Sequence, residues 1–249
     1  MMMVSPRMIA CGLALLVGCA SSPAQPDVPG HTPGMPGLGA HALNHYVQGA
    51  TSAPSISAAM TTQPSGSTIV VSVGRGIIEQ FELPTDNKGN APYQQQDTTH
   101  NYNHYTTSGT ALYAFASAAG GPDFQVNAGT SASDEITLAA VEIIEGTRIQ
   151  AVAWNEVVQG ATEVPVTSKS VTTTGPAALV AFWWGDAPVP NDKTAVPNNG
   201  FVVVDSILKE GPLVQCAVAV KNVPAAGTYD VTWKATPVQG AQLWLIAVQ

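Results

Sequence analysis

From about residue 43 onward, apolar and polar residues alternate with period two in one short run after another, and turn residues interrupt every run. Tyr229, Val231 and Trp233 alternate with Thr228, Asp230, Thr232 and Lys234. Successive side chains of a strand point to opposite faces, so this spacing describes a strand with one wet face. The same reading places strands at Ile69–Val73 and Ile136–Val141. It places others around Ile77–Leu83, Thr110–Ser117, Ile149–Val158, Leu179–Trp184, Phe201–Ile207, Leu213–Lys221 and Leu243–Val248. Between them lie Asp86-Asn87-Lys88-Gly89-Asn90, Gly120-Gly121-Pro122, Glu145-Gly146, Gly175-Pro176, Asn198-Asn199-Gly200, Gly211-Pro212 and Ala226-Gly227, all turn signals. A helix start is conceivable at Ser131–Val141, but its β-branched, alternating residues favour a strand. Many short strands without sustained helical periodicity predict an all-β fold: a single antiparallel β-sandwich, jelly-roll-like, over residues 43–249. No convincing internal repeat is read along the chain, which disfavours a propeller or solenoid.

Composition narrows the function classes. With 9 basic against 17 acidic residues and a pI near 4.9, the chain has no basic run to meet a phosphate backbone, so nucleic acid is not an expected partner. Charged residues make up only 10%, too few for a coiled coil or helical bundle, while 45% hydrophobic residues are too many for a disordered chain.

The N-terminus carries an address. Arg7 precedes an apolar run from Met8 to Val17, followed by Gly18 and Cys19; the run is too short to span a bilayer and reads as an export signal. Leu16-Val17-Gly18-Cys19 resembles the lipobox of bacterial lipoproteins. The resemblance implies cleavage of residues 1–18 and acylation of Cys19, with the body held to the membrane through its lipid. Two or more acyl chains hold a protein stably, since each buried methylene contributes roughly 0.8 kcal/mol. Ala20, where an aspartate would imply inner-membrane retention, favours the outer membrane of a bacterial cell envelope. Residues 19–42 then form a tether: from Ala20 to Gly39 the chain holds five prolines and four glycines and almost nothing to bury. Cys11 leaves with the leader and Cys19 is acylated, so Cys216 stands alone. It alternates with Val214 and Val218 and is expected to be a buried, inert thiol.

Several segments of the body resemble a loose group of secreted bacterial β-sandwich domains found on surface proteins. They are Ser65–Val71, Asp86–Asn90 before Tyr93, Leu112-Tyr113 with Gly120-Gly121, Glu142 after an apolar strand, and Ala241-Gln242-Leu243-Trp244. The resemblance covers roughly residues 52–249 and implies a jelly-roll-like sandwich. It transfers no catalytic residue.

Candidate chemistry is sparse. Trp183 and Trp184 are adjacent, so on a strand they face opposite ways. In a two-layer sandwich one indole is then outside the core, either covered by a loop or open as a platform for a sugar ring. Asp186, Asn191-Asp192, Asn198 and Asn199 stand nearby in sequence to bond hydroxyls. His100 and His104 would share a helix face with Asp97, but their neighbours favour a loop or strand, on which they stand about 13 Å apart, too far to share a metal. Asp86–Asn90 looks like a calcium loop but has Lys88 where an oxygen ligand belongs, so a hairpin turn is expected. Glu142 and Glu156 sit on otherwise apolar strands, where asymmetric burial could raise a carboxyl pKa. No catalytic, phosphate-binding or redox motif occurs, and no residue pattern requires a cofactor or a metal. The sequence therefore favours a lipid-anchored, non-catalytic surface protein binding a glycan or an envelope protein. The alternatives are an envelope polysaccharide hydrolase or lyase, using two carboxylates or one with a histidine, and a structural surface-coat component.

Overall fold

The computed structural model describes residues 32–46, 55–76, 81–103, 107–129, 135–157, 165–237 and 240–249, and every regular element among them is a strand. The first nine are β1 (Gly37–Tyr46), β2 (Ser55–Met60), β3 (Ser65–Arg75), β4 (Thr85–Asp86), β5 (Gln94–Gln95), β6 (His100–Asn101), β7 (Gly109–Ala119), β8 (Phe124–Gly129) and β9 (Ile136–Ile144). The next five are β10 (Ile149–Val157), β11 (Val166–Thr167), β12 (Val171–Thr173), β13 (Ala177–Asp186) and β14 (Val196–Pro197). The last five are β15 (Val202–Ile207), β16 (Val214–Val223), β17 (Gly227–Tyr229), β18 (Thr232–Lys234) and β19 (Ala241–Val248).

The expectation of an all-β, antiparallel, jelly-roll-like β-sandwich holds, and its strands sort into two stacked units. The first unit pairs a sheet ordered β1-β9-β3-β7-β5, with β6 also on β7, against a small sheet β2-β8-β4. The second has β10-β19-β13-β16-β15 against β11-β18-β14 and the pair β12-β17. Counting the split strands β5 with β6, β11 with β12 and β17 with β18 as one each, every unit has eight strands: each large sheet runs first, last, third, sixth, fifth, and each small one second, seventh, fourth. That is jelly-roll connectivity, with the fifth strand moved to the edge of the large sheet.

The two large sheets pack face to face, giving four layers. Val70, Leu112 and Val141 of the first unit and Val180, Phe182, Trp184, Val218, Trp244 and Ile246 of the second form the inner core. The opposite faces serve private cores. Val71, Tyr113 and Ala140 pack on Phe124 and Val126 of the first small sheet; Leu179, Trp183, Ala217 and Leu245 pack on Val166, Val231 and Trp233 of the second. Each fully buried large apolar side chain contributes about 2–3 kcal/mol, so three such cores suffice to hold the stack together. Coverage on both faces explains why β13 and β19 are buried along their whole length, a pattern that alternation does not describe.

The chain itself records the doubling. Val47-Gln48-Gly49-Ala50-Thr51 recurs as Val158-Gln159-Gly160-Ala161-Thr162, each directly after the first strand of its unit, with Asn44 and Asn155 at matching positions before them. The reading of no internal repeat is therefore corrected. The repeat is short because the two cores are filled by different side chains on the same strand plan. Both units also keep the same polarity. A Cβ on Gly146 would touch Ile143, Val248 and Pro36, so the chain entry and the ends of β9 and β19 share one end of the stack. The opposite, distal end carries Tyr46, Arg75, Asn103, Ile136, Val157 and Ala241. It lies roughly 30 Å away by strand rise.

Three boundaries change. The body starts at Gly37, not at 43: β1 pairs with β9 along its length, and the tether expected over 19–42 gives up its last residues to the sheet. Small residues hid it, with Leu38 and Leu43 facing the inner core and Ala40 and Ala42 the outer one. The run Thr228–Lys234 divides into β17 and β18 because its partner changes, and between them Ser168 bonds both the N–H and the C=O of Val231. Of the expected strand at Ile77–Leu83, residues 81–83 are not in a strand and 77–80 lie outside the described residues.

Candidate functional site

The residues singled out for binding do not form a site. Trp183 and Trp184 are both fully buried, because the sheet that carries them is covered on both faces: Trp184 enters the inner core and Trp183 the outer one. Neither is an open platform. Asp186 is buried at the distal end of β13. Asn198 and Asn199 belong to the opposite end and hold a turn. Asn198 Oδ1 accepts the Thr232 N–H at 2.7 Å, and Asn199, at φ 54°, donates to the Asp230 carboxylate at 3.1 Å. Asp86–Asn90 is likewise a stapled turn, in which Asp86 accepts the backbone N–H groups of Lys88 and Asn90 and the Tyr93 hydroxyl. His104 and Cys19 lie outside the described residues. Cys216 is buried beside Val214 and Val218, and desolvation, then the neighbouring Asp205 carboxylate, pushes its thiol well up from its ordinary range.

What the fold does bring together lies at the distal end, where the two large sheets meet. β10 is an edge strand, and Trp154 and Glu156, two residues apart, leave it on the face turned toward the first unit. From that unit β6 and the residues after it supply His100 and Asn103. The His100 ring stacks on Trp154, centroids 3.7 Å apart and planes within 5°, and tilts against Trp244 at 5.1 Å. Asn103 donates its backbone N–H to one Glu156 oxygen at 2.6 Å and its side-chain amide to the other at 2.8 Å. Asp97, in the left-handed region at φ 67°, holds His100 Nε2 at 3.1 Å. Beneath them Trp244 Nε1 donates to the Thr110 hydroxyl at 2.8 Å, which donates to Gln242 Oε1 at 2.6 Å, while the Gln242 amide reaches the His100 carbonyl.

The result is a half-buried aromatic stack edged by two carboxylates, an imidazole and an amide. Burial raises the Glu156 pKa above the ordinary carboxyl value; the Asn103 donors and His100 oppose the shift only in part. Of these groups His100, Asp97 and Glu156 stood out in the sequence. Trp154 and Glu156 were legible as one face of β10. Asn103 was not, because its partner Glu156 comes from the other unit.

On the opposite flank of the seam His41, on β1, pairs with Asp205, on β15, at 2.6 Å. Burial lowers the pKa of His45, further along β1. Near the chain entry an open cleft of about 490 Å³, lined by Pro33, Gln63, Ser65, Ser67, Ile144 and Glu145 among others, touches neither Trp183 nor Trp184. Beside it Glu142 is buried and accepts the N–H groups of Ala40 and Gln63 and the Ser67 hydroxyl, which makes it a structural staple. Among the described residues no three His, Cys, Asp or Glu side chains gather as a metal site. The chain matches no protein family, no curated protein and no solved structure.

Proposed function

We propose that this is a lipid-anchored cell-envelope protein whose doubled jelly-roll body holds a glycan or envelope partner, without chemistry, at the distal end of its seam. The observation that carries the reading is the cluster of half-buried Trp154, His100 and Glu156 with exposed Asn103 and Asp97 at its rim, at the end farthest from the chain entry. An aromatic face with hydrogen-bonding groups at its rim is the usual chemistry of sugar and polar peptide recognition. A tether on the order of 40 Å when extended would carry that end clear of a lipid surface. Leu16-Val17-Gly18-Cys19 supports the anchor. Two experiments test the reading. Mass spectrometry of the natural protein should find acyl groups on Cys19 at the mature N-terminus. Glycan-array and envelope-extract binding should weaken at least tenfold in Asn103→Ala and Trp154→Ala; binding unchanged in both variants would refute the site.

One observation favours a second reading, a polysaccharide-acting enzyme. Glu156 keeps its proton to higher pH than an ordinary carboxyl and stands within electrostatic reach of His100. A general acid has that property. Against it, both Glu156 oxygens are engaged by Asn103. Polysaccharide cleavage by the natural protein, abolished in Glu156→Gln, would establish the enzyme.

A further inference from the structure

We infer that the seam is a twofold interface between two copies of one unit, and that Gly74 and Trp184 sit on its axis and determine which copy pairs with which. Four observations lead there, none of which rests on the proposed function. Both units have the same strand order, and the Val-Gln-Gly-Ala-Thr segment follows the first strand of each. The registers match. On the last strand of its unit Val73 pairs with Leu138 and Gly74 with Thr137, just as Trp183 pairs with Leu243 and Trp184 with Gln242. Gly74 and Trp184 thus occupy equivalent positions. They also touch: a Cβ on Gly74 would overlap the Trp184 indole at Nε1. A residue that meets its own equivalent lies on a twofold axis.

Contacts away from the axis are reciprocal, as such symmetry requires. The first strand of the first unit meets the fifth strand of the second through His41 and Asp205. The first strand of the second unit meets the fifth-strand region of the first through Trp154 with His100 and Glu156 with Asn103. On the axis a like pair fails in either form. Two tryptophans would need the same space, and two glycines would leave a hole next to Tyr102, whose ring meets the Trp184 edge at 5.6 Å. One glycine against one tryptophan fits. The inner face of each unit is therefore a docking surface for a jelly roll of its own kind that carries the opposite residue at this position.

The test uses the full chain in two arms. In the first, a protease site is inserted after Gly146, in the connection between β9 and β10, and the folded protein is cut. Halves that co-elute as one particle at sub-micromolar concentration support the docking surface; halves that separate overturn it. In the second, Gly74→Trp and Trp184→Gly are made singly and together, with the milder set Gly74→Leu and Trp184→Ala beside them. Each single change should lower Tm by roughly 10 °C. The exchanged double variant should melt above both of its singles in at least one set, since it restores one large and one absent side chain on the axis. Doubles no better than their singles in both sets would overturn the assignment of the axis.

Discussion

The space that a Cβ on Gly39 would take is filled by the Glu142 carboxylate, whose Oε2 accepts the adjacent Ala40 N–H at 2.9 Å. Its other oxygen accepts the Gln63 N–H and the Ser67 hydroxyl, both at 2.7 Å. One buried acid thus holds the irregular start of β1 against β3 and β9. Gly39→Ala should cost about 1–3 kcal/mol by crowding. Glu142→Gln should cost about 2 kcal/mol, because its amide cannot accept from the donors on that side. Urea unfolding measures both; a change below about 0.5 kcal/mol in either would contradict the staple.

Thr110 is the hinge of the buried polar chain under the distal cluster, accepting from Trp244 and donating to Gln242. Thr110→Val keeps the shape and strands both partners, so a loss of about 2 kcal/mol is expected. Thr110→Ser keeps the hydroxyl and should recover at least half of that loss. Thermal unfolding of the two variants side by side checks this.

Position 45 on β1 and position 156 on β10 correspond in the two units, and they titrate in opposite senses. Burial lowers the His45 pKa from 6.5, so the folded state resists taking that proton. Its contribution to stability is complete above about pH 6.5 and is lost as pH falls below that value. Replacing His45 with Gln should flatten the acid side of the stability profile in that window.

Glu156 works the other way. Its folded pKa is raised above 4.5, so the folded state holds the proton longer than the unfolded chain does. Stability from this group is greatest below that value and declines as pH rises through the folded pKa. Glu156→Gln removes the decline. Urea midpoints of wild type and variant, measured from about pH 4 to about pH 7, should converge at the acid end and separate in favour of the variant toward neutrality. The opposite ordering would contradict the raised pKa.

Cys216 lies in the inner core with its thiol pushed up by burial. An aromatic disulfide reagent should therefore modify it only as fast as the protein unfolds globally. Labelling much faster than the unfolding rate would mean that the seam opens locally.

How far the sequence alone decides this protein is clearest at three places. Alternation was enough for strand identity at Thr228–Lys234, where Val231 and Trp233 are buried and Thr228 and Lys234 exposed, because a half-buried strand must repeat every two residues. β7 and β16 were legible instead as short apolar runs bounded by turn residues, since most of their length is buried on both faces. The burial of Cys216 and the stapled turn at Asp86 were also legible, each being a local matter. Trp183 and Trp184 were not. Their opposite directions followed from strand geometry, but whether either met solvent depended on a second jelly roll covering one face and a small sheet covering the other. The cluster of Asp97, His100, Asn103, Trp154 and Glu156 belongs to the same class, since residues of two units come together there only once the large sheets have packed. Local pattern reports which way a side chain leaves its strand; only the packing of sheet on sheet determines what it meets.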